Sequence, residues 1–119
     1  MEPDLFTERL AQIRVRFAAK LLGKISSVQT ALPELGGADG KLLEVLATSH
    51  RNIHELCGIA PTVGFPETGQ QARRVERMLL QPLHAKRCLS ADEIAAVHAQ
   101  LQVLEAVAQS ELQLFEQGN

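Results

Sequence analysis

HELCGIAPTVG, residues 54 to 64, places a histidine four residues before one glycine and ten before another, in a run that otherwise reads as helix. Around it Leu42, Leu46, Ile53, Leu56, Ala60 and Val63 recur at steps of three, four and seven, the spacing that lines one face of a helix, so the sequence predicts a helical region from about Lys41 to Gly64. At about 100° per residue, Leu42, Leu46, Ile53 and Ala60 group together and His54 lies about 100° or more from their centre, facing solvent. Gly58 and Pro61 follow His54 at i+4 and i+7 and Ala47 precedes it at i−7, so the strip around the imidazole is short of side chains. Such a rim admits the surface of another protein. The plainer reading is that Gly58 lets a neighbouring helix approach and His54 is an ordinary surface histidine.

Working outward, Phe6, Leu10, Ile13, Phe17, Leu21, Ile25, Val28 and Leu32 mark a long first helical region. Gly23 is its weak interior point, where it bends or breaks, and Pro33 ends it before the turn PELGGADG. After GFPE, Pro66 suits the first turn of a third helix, with Ala72, Val75, Met78 and Leu79 on its apolar side and Pro82 closing it. Ser90 and Glu93 form an S-x-x-E capping box, Leu89 and Ile94 a hydrophobic staple, and Ile94, Val97, Leu101, Leu104, Ala108 and Phe115 continue a fourth helix. No strand pattern or long repeat appears. The expected fold is all-α: an antiparallel four-helix bundle forming one domain over residues 1–119, with a short extra N-terminal helix if Gly23 splits the first region.

Composition narrows the functions. Hydrophobic residues make up 45% and charged residues 22% of the 119, which suits a globular domain that folds alone. A net charge of −2, from 12 basic and 14 acidic residues, offers no broad positive field for nucleic acid or anionic lipid. With no Trp, no Tyr and four Phe, the chain also lacks stacking platforms for single strands. The opening MEPDLFTERL carries acid where a secretory signal needs positive charge, and no apolar run is long enough for a bilayer, so the expectation is a cytoplasmic protein without membrane contact. Cys57 and Cys88 form no disulfide framework and are expected to stay thiols.

HELCGIAPTVG with the following FPETGQQARRVERML resembles the histidine-containing phosphotransfer domain, whose hallmark is H-x-L-K-G on the second bundle helix with a further glycine near its end. His54, Leu56, Gly58 and Gly64 match, Gly64 in a structural role, and the resemblance covers essentially the whole chain through the bundle layout. It departs from the family at Cys57, where lysine is usual, and at Pro61, where a small residue is common. Pro61 lacks the N–H that would bond the Cys57 carbonyl and is expected to bend the helix beyond the site.

The resemblance implies a phosphocarrier rather than an enzyme. His54 would accept a phosphoryl group from a receiver-domain aspartate and pass it to another. Glu76, on the third helix, would orient the imidazole by accepting from its second nitrogen, although by composition alone it reads as a solvated charge in RRVER. Arg73 would replace the missing lysine as a phosphate cation, with Arg51 in reserve. Ala47, Arg51, Cys57, Gly58 and Pro61 would form the partner-binding rim. The implied partners are response-regulator receiver domains and a hybrid sensor histidine kinase. The bundle itself would be a monomer holding no cofactor, Mg²⁺ coming from the receiver.

Two rivals stand beside this reading. His50, His54 and Cys57 fall at i, i+4 and i+7, so three nitrogen or sulfur ligands share neighbouring turns as a zinc site requires, but no acidic fourth ligand has diagnostic spacing. The other is a bundle that binds a receiver or kinase without carrying phosphate, which the absent lysine favours. His84 and His98 read as structural or solvated.

Overall fold

The Asp4 carboxylate accepts from the Phe6 N–H at 3.1 Å and so opens helix α1, Leu5–Ala31. In the computed structural model, which describes residues 4–37 and 40–118, a 3-10 turn follows over Leu32–Gly36, then α2, Leu42–Ile59, α3, Pro66–Ala85, and α4, Ala91–Gln117. Ala38 and Asp39 of the expected turn, with Met1 to Pro3 and Asn119, lie outside the described residues. Among the described residues there are four α-helices and no strand, and none of the helices is long and apolar enough to cross a membrane.

Pairing across the bundle fixes the directions. Lys24 of α1 meets Glu55 of α2 at 3.0 Å, while Arg14, earlier in α1, reaches the Val63 carbonyl beyond the end of α2 at 2.9 Å. His54 of α2 faces Glu76 of α3, and Pro61, after α2, lies on Gly69 near the start of α3. Thr68 of α3 bonds Glu111 of α4, and Gln71 bonds Gln100 at 2.8 Å. Each helix therefore runs antiparallel to the next, an all-α four-helix bundle.

The core is the apolar stripe of each helix brought to one axis: Leu21, Ile25 and Val28, then Leu46, Ile53 and Leu56, then Ala72, Val75 and Leu79, then Val97, Leu101 and Leu104. Each large aliphatic side chain buried there contributes about 1.5–3 kcal/mol. One end is sealed by Leu32, Leu35 and Leu89, where the Leu89 N–H donates to the Leu35 carbonyl at 2.9 Å. At the other end Phe65 is fully buried, its ring centroid 5.2 Å from Phe17 and 5.7 Å from Phe115. Just before it Gly64 has φ +94°, in the region that favours glycine, and a Cβ there would lie 3.1 Å from the Arg14 guanidinium.

Four local expectations are corrected. The first region does not split: α1 runs unbroken through Gly23, which is exposed and costs about 1 kcal/mol against alanine, less than the burial of Leu21 and Ile25 on either side contributes. Phe6 and Ile13 do not join the core, because α1 and α4, 27 residues each, outrun the 18-residue α2 and 20-residue α3, leaving Phe6 71% exposed on the overhang. Pro61 ends α2 rather than bending it, so Ala60 and Val63 are buried beyond the helix, and the Phe65 N–H closes onto the Ala60 carbonyl at 2.8 Å. Pro82 does not close α3, which continues one turn to Ala85 and stops at Lys86 in a left-handed conformation, with the Arg87 N–H on the Pro82 carbonyl at 3.1 Å.

Candidate functional site

His54 sits in the second half of α2, with its side chain 69% exposed. Its Nδ1 is hydrogen-bonded to Oε2 of Glu76, which projects from α3 and is only 19% exposed. A carboxylate only accepts, so Nδ1 is the donor of this bond. This arrangement holds the imidazole in one orientation, with Nε2 on the ring edge away from the carboxylate. One helical turn along, a Cβ added at Gly58 would meet nothing within 4 Å. That disposes of the close-packing explanation for this glycine: no neighbouring helix approaches it, and the surface beside the imidazole stays open.

The remaining rim residues divide. Arg51 and Pro61 are exposed and Ala47 is half-buried, but the Pro61 ring also packs on α3, within 2.9 Å of where a Cβ of Gly69 would stand. Cys57 is no rim residue. It is 6% exposed, because it stands four residues after Ile53 and three before Ala60, both fully buried, and shares their side of the chain. Burial first, and then the Glu76 carboxylate, push its thiol up to about 11, with Arg73 pulling the other way. Cys57 therefore remains a thiol beside Glu76 rather than a thiolate.

Arg73 and Arg51 are exposed, and neither carries an ion pair or hydrogen bond among the described residues. Arg73 lies close enough to Cys57 to act on its thiol, which puts this cation on the α2 side of α3. His98 and His84 are exposed, His84 in the last turn of α3.

Two further residues contribute to the arrangement, His50 in a role other than metal ligand and Glu111 with no sequence signal. His50, one turn before His54, stacks its ring on His54 with centroids 6.0 Å apart and planes 12° apart. Its side chain is 20% exposed, and its Nε2 is buried without a hydrogen-bond partner, 3.8 Å from the same Glu76 Oε2. Among the described residues no group of three His, Cys, Asp or Glu side chains is placed to hold a metal ion. The other is Glu111 of α4. Its carboxylate accepts from the Thr68 N–H and hydroxyl, both at 2.6 Å, and from the Glu67 N–H at 3.2 Å. These are orphan donors of the first turn of α3, which has no side-chain cap of its own. Glu111 thereby pins the helix that carries Glu76.

The chain matches no protein-family model, no curated protein and no solved structure, so its function is read from this geometry and from the residues of the motif.

Proposed function

We propose that this chain is a histidine phosphotransfer protein of a two-component phosphorelay. His54 Nε2 attacks the phosphorus of an aspartyl phosphate on a receiver domain, the P–O bond to that aspartate breaks, and the phosphoryl group later passes to an aspartate of another receiver. The observation that carries the reading is an exposed imidazole whose Nδ1 is tied across the bundle to a mostly buried carboxylate, leaving Nε2 free above an open glycine surface. The neutral form of an imidazole is itself nucleophilic and needs no further base. Nothing else is demanded of the bundle, so it acts as a phosphocarrier rather than an enzyme. Arg73, with Arg51 in reserve, supplies positive charge toward the phosphoryl group in place of the lysine absent at Cys57. The receiver supplies Mg²⁺ and the acidic pocket, and a hybrid sensor kinase and response regulators are the partners. The setting is the cytoplasm, and the carrier works as a monomer.

The test is incubation with phosphorylated receiver domains and Mg²⁺. Acid-labile label is expected on the parent and none on His54→Gln with its helical signal intact. Label that survives His54→Gln and disappears in His50→Gln overturns the assignment. The second reading, a bundle that binds receivers without carrying phosphate, is favoured by Cys57 standing where the family has lysine; it requires receiver binding with no label at all.

A further inference from the structure

We propose that His50 is a second working member of this site, a positioning base whose Nε2 receives the proton that the His54 ring releases, across Glu76, when His54 is phosphorylated. The inference rests on the phosphotransfer reading and deepens it. Its starting point is one oxygen with two claimants: Glu76 Oε2 is bonded to His54 Nδ1, and the same oxygen lies 3.8 Å from His50 Nε2. A nitrogen bearing a proton and facing a carboxylate closes to about 2.9 Å. At 3.8 Å, buried and without another partner, Nε2 has the placement of a bare nitrogen facing an acceptor, one proton short of a bond.

The proton required comes from the reaction itself. When Nε2 of His54 forms its bond to phosphorus, the donor's P–O bond breaks and the electron pair leaves with the aspartate carboxylate. The His54 ring, still protonated at Nδ1, then carries a positive charge. A protonated phosphoimidazole is the labile form, since the ring leaves phosphorus as a neutral imidazole. Passing the Nδ1 proton through Oε2 to His50 leaves a neutral phosphoimidazole and an imidazolium paired with Glu76. Outward transfer returns the proton, and no solvent proton is consumed. The charge stays within the cluster and opposes the phosphoryl group's negative charge, part of the work that lysine would do at position 57.

The groups acting on His50 allow such a switch. Burial is the largest influence and lowers its pKa below 6.5, Glu76 on α3 raises it, and His54 on α2 and His84 on α3 lower it. At rest His50 is therefore neutral near pH 7. A phosphoryl group on His54 adds negative charge beside it and favours its protonated form.

The experiment follows the histidine ring resonances of the full chain against pH, before and after treatment with phosphoramidate, a small donor that needs no partner. Before treatment His50 is expected to be neutral with its proton on Nδ1 and to titrate below 6.5. After labelling of His54 its midpoint should rise by about one unit, a tenfold gain in proton affinity. A His50 midpoint that stays in place or falls while His54 is labelled overturns the role of His50 and leaves the phosphotransfer reading standing. Failure of phosphoramidate and of phosphorylated receivers alike to label His54 overturns both. His50→Phe, which keeps a ring and removes the base, should shorten the phosphohistidine lifetime near neutral pH; a parental lifetime and pH profile in a folded variant counts against the proposal. The titration of the parent decides the matter if that variant does not fold.

Discussion

Replacing Glu76 separates its two contributions, orientation of the His54 ring and negative charge behind it. Glu76→Gln keeps an acceptor oxygen within reach of Nδ1, so the tautomer survives, but a charge-assisted bond becomes a neutral one. Bonds to charged groups contribute about 1.5–3 kcal/mol and neutral ones about 0.5–1.5, a difference of about 1 kcal/mol. Glu76→Ala removes the bond altogether. Because His54 is 69% exposed, water replaces part of what is lost, which places the alanine variant at the lower end, about 1.5 kcal/mol. In rate these are about fivefold and about tenfold. The assay is the single-turnover rate of phosphoramidate labelling at saturating donor, which isolates the imidazole from receiver docking. Thermal melts alongside it establish that α3 is in place. A Glu76→Ala variant labelled at the parental rate refutes the argument that Nδ1 must be held for Nε2 to react.

Glu111→Ala should lower stability by about 2–4 kcal/mol, since it leaves the fully buried Thr68 with an unpaired hydroxyl and N–H; a melt within a degree or two of the parent would show that water caps α3 equally well. Gly58→Leu should raise the melting temperature slightly, because helix propensity improves by about 0.5–1 kcal/mol in open space, while slowing transfer from a receiver and leaving phosphoramidate labelling unchanged. Equal slowing with both donors would show that the rim does not matter to docking. Cys57→Lys should not supply a working phosphate cation: the position is buried, so lysine must bend its ammonium toward Glu76, costing stability and drawing that carboxylate from His54, and a faster-labelled, fully stable variant contradicts this. Glu93 is held down at about 2, from 4.5, first by its bond to the Arg87 guanidinium and then by the Ser90 N–H. A depressed carboxylate stabilises the fold above its unfolded pKa and loses that contribution as pH falls through the folded value, so Arg87→Ala should flatten the decline in melting temperature between pH 4.5 and about 2.

What the sequence made legible is what local chemistry dictates. The Ser90 and Glu93 box is present in both directions, at 3.1 and 2.9 Å, and α4 begins at the next residue. Pro66 occupies the first turn of α3, and most of each stripe of α2, α3 and α4 is buried. The failures have two causes. Phe6 and Ile13 carry the right period, but periodicity says which face is apolar and not whether two other helices are long enough to cover it. Glu111 is 43 residues from Thr68, and no local pattern announces a cap supplied by another helix. Cys57 was readable: four after Ile53 and three before Ala60, it belongs to the buried stripe, and only its motif position suggested a rim.

The pairing of His54 with Glu76 depends on contacts that touch neither residue. Two side chains on different helices meet only if the helices share a register, and one helical residue is a rise of 1.5 Å, enough to lose a hydrogen bond. The register of α3 on α2 is set two turns before Glu76, where Gly69 allows the Pro61 ring to lie against the α3 backbone; a Cβ there would stand 2.8 Å from the Pro61 Cγ and force the helices to shift. It is set a second time by Glu111, which holds the first turn of α3 from α4. Gly69→Ala should therefore act on the site without entering it, slowing labelling of His54 along with any loss of stability, whereas Gly58→Leu leaves that labelling untouched. Pro61 then has a structural counterpart at Gly69: a proline that ends α2 abruptly also supplies the surface against which α3 is placed.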